Sequence, residues 1–152
     1  MSFLDHAKVE QIGWKNGRAL WMTLAPLRFG NLTVPAEFIT DLASVPRAPI
    51  AWWFTGGRGT RSAILHDFPY QFGYWLYSGG RRVNVRKTDA DRVFYQSLLA
   101  DPISGCGPTL AWMMYQAVRV GGRGVWSKEA RTRTLNPEWS QAGWIANPVE
   151  GV

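Results

Sequence analysis

Apolar and polar positions alternate with a period of two in the first part of the chain. Between residues 18 and 24 this alternation predicts a strand with one face more buried than the other. Asn16-Gly17 and Gly30-Asn31 each suit a tight turn, because glycine and asparagine tolerate a positive φ. We therefore expect antiparallel hairpins that form a small sheet and end near Asp41 at its rim.

After residue 41, apolar positions follow the period of a helix in three segments. The first covers residues 61–70, and Pro69 is expected to kink or end it. The second begins with Thr88 as its N-cap and runs to about residue 100. The third covers residues 108–121, between a proline and two glycines, and its apolar stripe, which includes Met113, is expected in the core.

These elements predict an α+β fold, with N-terminal antiparallel hairpins followed by three or four helices. Residues 1–122 are expected to form a single domain. Residues 123–152 contain three tryptophans but show no sustained period. We expect this segment to be an extended tail that packs on the domain or on a partner, which includes self-association of the chain.

Composition and charge narrow the classes of protein and partner. The 152 residues are 46% apolar, and the single cysteine excludes an internal disulfide framework and a cysteine-based zinc site. No secretory leader is expected, and the uncharged stretch 102–118 contains prolines and glycines, so no transmembrane segment is expected. The net charge of +6 favours anionic partners, with an anionic lipid as one candidate and nucleic acid as a weaker one.

One face of the first predicted helix combines a base, a carboxylate and a phenol. His66, Asp67 and Tyr70 share this face because they lie three, four and seven positions after Ala63. A lone histidine beside an aspartate is more often a structural residue that is hydrogen-bonded to a neighbour. Asp91, near the start of the second helix, is equally explained as a carboxylate favoured by the helix dipole. The pattern alone leaves the catalytic and the structural interpretation open.

Four stretches in a specific order and spacing carry a family resemblance. They are Val34–Arg47 with Asp41, Ser44 and Arg47, then Leu65-His66-Asp67 with Tyr70, then Ala90-Asp91-Arg92 with Phe94, and Tyr115–Arg119 with Gly122. Together they resemble the phage and prophage family called domain of unknown function 1353. The resemblance implies a phage-encoded protein that is made in the host cytoplasm and is a candidate virion component. It implies no activity.

A second resemblance is confined to His66-Asp67-x-x-Tyr70 and to Asp91 with Phe94. These residues are similar to those of secreted phospholipases of type A-two, in which a neighbouring helix carries the aspartate that orients the histidine. The resemblance implies that His66 is the general base, that Asp91 orients it and that Tyr70 lies beside them. It also implies calcium, with Asp41 and Asp67 as ligands.

Three functions are open at this point. The first is an accessory or structural phage protein of the tail or baseplate type, in which the same polar residues hold the sheet to the helices. The second is a calcium-dependent ester hydrolase that acts on a phospholipid. The third is a small modulator of a host protein or of a nucleic-acid complex. Ser44 is expected to approach the His66 helix, and Arg47 and Arg92 are further candidates for the site.

Overall fold

The computed structural model describes residues 1–42, 58–124 and 126, and the predicted α+β fold is confirmed. The strands are β1 (Val9–Lys15), β2 (Arg18–Thr23), β3 (Leu27–Phe29), β4 (Leu32–Val34), β5 (Ile39–Thr40), β6 (Tyr74–Tyr77) and β7 (Arg82–Asn84). The helices in this part of the chain are α1 (Thr60–Phe72), α2 (Lys87–Ala100) and α3 (Pro108–Gly121). None of them is long and apolar enough to cross a membrane.

The first sheet contains β1, β2 and β5 in that order. The predicted turn at Asn16 and Gly17 is confirmed, with φ angles of 51° and 75° that close the β1–β2 hairpin. The predicted contrast between the two faces of β2 is wrong, since its first five residues are all half-buried. β5 pairs antiparallel with β2 and carries Thr40 toward the helices.

The second sheet contains two strands that precede α1 in the sequence and two that follow it, in the order β3-β4-β6-β7. The β3–β4 hairpin turns at Gly30, as predicted, and β4 then pairs with β6, placing Leu32 opposite Tyr77. Strands after the first helix, β6 and β7, were not predicted. The aromatic strand β6 pairs with β7 on one side and with β4 on the other, and local sequence does not indicate the pairing with β4.

Helix α1 is buried on every side, because every residue after Thr60 is enclosed. It continues through Pro69 and ends at Phe72, two residues beyond the end expected near residue 70. Packing on all faces of the helix offsets the loss of the main-chain hydrogen bond that proline cannot donate. The helix begins after Gly59, which has a φ of 66° and packs so closely that an added Cβ would lie 2.8 Å from Leu98 Cδ2.

The apolar core has two parts, and α1 and α2 lie between them. The larger part includes Leu27, Phe29, Val34, Phe38, Ile64, Phe68 and Trp75, and it fills the space between the second sheet and α1. The smaller part joins α2 to α3 through Phe94, Leu98, Ala111, Met114 and Val118. Met113, expected in the core, is instead 44% exposed, because it lies on the outer side of α3, about 100° around the helix from Met114.

Candidate functional site

His66, Tyr70 and Asp91 form one buried hydrogen-bonded cluster between α1 and α2. The Nε2 atom of His66 lies 2.9 Å from Asp91 Oδ1, and the hydroxyl of Tyr70 donates a hydrogen bond of 2.6 Å to the same oxygen. A spacing of four residues places His66 and Tyr70 one above the other on α1, which faces α2. The contact between His66 and Asp91 is present as expected, and the catalytic roles of the three residues stay a prediction.

Lys87 completes the cluster, and the sequence interpretation did not single it out. Its Nζ atom donates to Asp91 Oδ2 at 2.6 Å and to the main-chain oxygens of Val118 and Arg119 at 2.9 Å and 3.2 Å. The local signal was available, because a lysine four residues before an aspartate lies on the same helical face. The contacts with the end of α3 had no such signal.

The environment sets the charge of each group. Burial lowers the pKa of His66, and the positive charge of Lys87 lowers it further, whereas the hydrogen bond and charge of Asp91 oppose both effects. Burial alone raises the pKa of Asp91, but hydrogen bonds from His66, Lys87 and Tyr70 outweigh it and hold that pKa below its ordinary value. Near pH 7 the site therefore holds a neutral imidazole beside an ionised carboxylate.

The hydrogen bonds also select one tautomer of His66. An ionised carboxylate only accepts, so Nε2 carries the proton and Nδ1 keeps its lone pair. Within the described ranges, Nδ1 is buried and has no hydrogen-bond partner. The rings of Tyr70 and Phe94, with centroids 4.2 Å and 4.7 Å from the imidazole, pack beside it. The side chain of His66 is 0% exposed.

Ser62 on α1 and Trp126 after α3 also lie near the cluster, and neither was among the predicted site residues. Ser62, one turn before His66, is fully buried, and its Oγ atom has no hydrogen-bond partner in the part of the chain described. Trp126 packs edge-on against Tyr70, with ring centroids 5.1 Å apart. Gly122 leaves room for the same tyrosine, because a Cβ there would collide with the Tyr70 hydroxyl.

The two predicted calcium ligands have protein partners. Asp67 is 3% exposed and accepts a hydrogen bond from the hydroxyl of Thr40, whereas Asp41 lies 4.0 Å from the guanidinium of Arg18. Among the described residues there is no group of three or more histidine, cysteine, aspartate or glutamate side chains that would hold a metal ion. Calcium takes about six to eight oxygen ligands, so these residues by themselves do not fit it. Their role as ligands stays a prediction.

The remaining predicted site residues lie apart from the cluster or outside the described ranges. Arg92 follows Asp91 on α2 but is exposed, as expected for neighbours that are 100° apart around a helix. Ser44 and Arg47 fall within residues 43–57 and lie outside the described part. The approach of the upstream strand to α1 is nevertheless visible, since Gln71 Nε2 donates to the main-chain oxygen of Ile39 at 3.0 Å.

Comparison with known proteins gives one match. The model of the family described as protein of unknown function (DUF1353) matches residues 23–118, a range that contains the whole His66, Tyr70, Lys87 and Asp91 cluster. No curated protein and no solved structure matches the chain, so the resemblance to phospholipases has no support beyond the site residues. Because the matched range is well over half of the sequence, this chain belongs to the DUF1353 family.

Proposed function

We propose that this protein hydrolyses an ester bond, with His66 as the general base and Asp91 as the carboxylate that orients it. One observation carries the proposal. The Nε2 side of the imidazole is held by Asp91, while the described residues leave Nδ1 without a hydrogen-bond partner. A neutral imidazole with a fixed tautomer and an available lone pair is what a general base requires.

The chemistry follows from these charges. Nδ1 of His66 takes a proton from water while the water oxygen forms a bond to the ester carbonyl carbon. The ionised Asp91 stabilises the imidazolium that results, and the Tyr70 hydroxyl holds Asp91 Oδ1 in place. The bond from the carbonyl carbon to the alcohol oxygen then breaks, and the proton on Nδ1 passes to that oxygen.

A phospholipid is the proposed substrate class, and a phage or prophage genome is the proposed origin. The net charge of +6 favours an anionic ester over a neutral one. The site residues resemble those of phospholipases, which supports a glycerophospholipid. The proposed phage origin rests on the resemblance to a phage and prophage family, and a host-cytoplasmic location after synthesis is proposed on the same ground.

The test uses the full chain and a soluble anionic ester. Dihexanoyl phosphatidylglycerol, kept as monomers at pH 7, is incubated with the protein in the presence of calcium or of a chelator. We expect release of the fatty acid, and we expect His66→Gln to lower kcat by about a hundredfold or more, the usual contribution of a general base. His6→Gln is the matched control, because His6 is the chain's other histidine and is exposed.

The calcium arm tests the predicted metal separately. Activity that the chelator abolishes and calcium restores would support Asp41 and Asp67 as candidate ligands. Activity that persists in the chelator would exclude a calcium requirement while leaving His66 as the base. If the wild type hydrolyses this ester under neither condition, the proposed function is wrong.

A structural role is the second candidate, and the enclosure of the cluster favours it. With the His66 side chain 0% exposed, a substrate reaches Nδ1 only after the groups that cover it move. The hydrogen bonds of the cluster also join α1, α2 and α3, as expected in an accessory or tail-type protein that needs only stability. In that case His66→Gln lowers the melting temperature, and no ester is hydrolysed by any variant.

A further inference from the structure

Lys87 lies where two helices meet, and its ammonium group uses all three of its donors. One hydrogen bond goes to Asp91 on its own helix, and two go to the main-chain oxygens of Val118 and Arg119 in the last turn of α3. The oxygen of Val118 also accepts a hydrogen bond from the main-chain N–H of Gly122, so Lys87 is a second donor to it. The side chain of Lys87 is 15% exposed, so most of it is removed from water.

The position of this cation is unfavourable for α2 and favourable for α3. Lys87 is the first residue of α2, where the helix dipole disfavours positive charge. The C-terminus of α3 attracts positive charge for the same reason. A lysine in this place is therefore explained by what it contacts outside the first turn of its own helix, namely Asp91 and the end of α3.

Of the three described side chains that donate hydrogen bonds to the Asp91 carboxylate, only Lys87 is an ammonium group. Oδ1 is occupied by His66 and Tyr70, which are both neutral near pH 7, and Oδ2 is occupied by Lys87. A carboxylate that is 1% exposed is costly to bury unless a cation compensates its charge. Without Lys87, protonation of Asp91 or rotation of its carboxylate away from His66 would become more favourable.

We propose that Lys87 is a positioning residue, which keeps Asp91 ionised and oriented so that Asp91 holds His66 in the Nε2–H tautomer. Its importance for hydrolysis rests on the proposed function, whereas its control of the His66 tautomer does not. Among the described residues, the titratable groups that face the imidazole are Asp91 and Lys87 from α2 and Tyr70 from α1. The end of α3 contributes main-chain oxygens, which fix Lys87 rather than His66.

The experiment observes the imidazole directly. The full chain is labelled with ¹⁵N and carries His6→Gln, so that the remaining histidine signals come from His66 alone. Long-range ¹H–¹⁵N spectra recorded across pH then report the tautomer and the pKa of His66. The variants are Lys87→Met and Lys87→Arg, and the matched control is Arg86→Met, which removes the same charge from the preceding, exposed residue.

In the wild type we expect the neutral Nε2–H tautomer at pH 7. In Lys87→Met the Nδ1–H tautomer should appear, because an Asp91 that is protonated or turned away no longer accepts a hydrogen bond from Nε2. Lys87→Arg should restore the wild-type signals at least in part, and Arg86→Met should match the wild type. Should Lys87→Met fail to fold, Lys87→Gln replaces it, since it keeps a donor for Asp91 Oδ2 without the charge.

Activity separates this inference from the proposed function. If the ester is hydrolysed, Lys87→Met should lower kcat about tenfold or more with KM unchanged, because one hydrogen bond between charged groups no longer holds the base in place. If no variant hydrolyses the ester while the His66 signals respond as expected, the proposed function fails and the role of Lys87 stands. If the tautomer of His66 is the same in Lys87→Met and Arg86→Met, the inference is overturned.

Discussion

Asp91→Asn is expected to destabilise the protein although it changes little in volume. The carboxylate accepts hydrogen bonds from His66, Tyr70 and Lys87 at 2.6–2.9 Å and is 1% exposed. An amide oxygen can still accept from His66 and Tyr70. The amide nitrogen, however, replaces Oδ2, where it meets the ammonium group of Lys87 donor against donor.

The expected loss of unfolding free energy follows from the ion pair between Asp91 and Lys87, which this substitution breaks. Removing one partner of a buried ion pair costs roughly 3–5 kcal/mol, because the other charge is left uncompensated. Lys87 keeps 15% exposure and its hydrogen bonds to the end of α3, which relieve part of that cost. We therefore expect the free energy of unfolding to fall by about 3 kcal/mol, the lower end of this range.

Urea unfolding, followed by tryptophan fluorescence and by far-ultraviolet circular dichroism, measures this change. Asp89→Asn is the matched control, since Asp89 lies two residues earlier on α2 in an exposed ion pair with Arg86 and should give no measurable change. In a Lys87→Met background, Asp91→Asn should cost clearly less than in the wild type, because the two residues act as a pair. A loss below about 1 kcal/mol, or one equal to that of Asp89→Asn, would refute the reasoning.

Two further predictions concern buried groups on α1. Ser62→Ala should leave the free energy of unfolding unchanged or raise it by up to about 1 kcal/mol, because the hydroxyl is buried without a hydrogen-bond partner in the described part of the chain; a clear loss in urea unfolding would contradict this. The pKa of His66 is lowered from 6.5, so below that pH the unfolded chain takes up a proton that the folded protein resists, and stability should fall. Urea midpoints between pH 4.5 and pH 7.5 should therefore decline more steeply toward acid in the wild type than in His66→Gln, and parallel curves would count against a neutral His66.

Local sequence determined much of the secondary structure, because turns and helix starts depend on backbone preferences of few residues. Asn16-Gly17 closes its hairpin through positive φ, and Pro108 begins α3 as a proline at a first helical position does. The shared face of His66 and Tyr70 is also local, since it needs only the period of α1. The sequence thus named two members of the cluster, and the resemblance to phospholipases paired Asp91 with His66.

Only the tertiary structure determined how these helices and strands pair and pack. The joining of β4 to β6 across α1 depends on strand pairing between distant segments, which leaves no periodic signal. The enclosure of α1 is also a long-range effect, because partners on every side bury faces that the sequence pattern would divide into inner and outer. The same holds for Lys87, whose hydrogen bonds to the end of α3 join residues 31 and 32 positions apart. The pKa shifts at the site also follow from this packing, since burial lowers the pKa of His66 and three converging donors hold the pKa of Asp91 below its ordinary value.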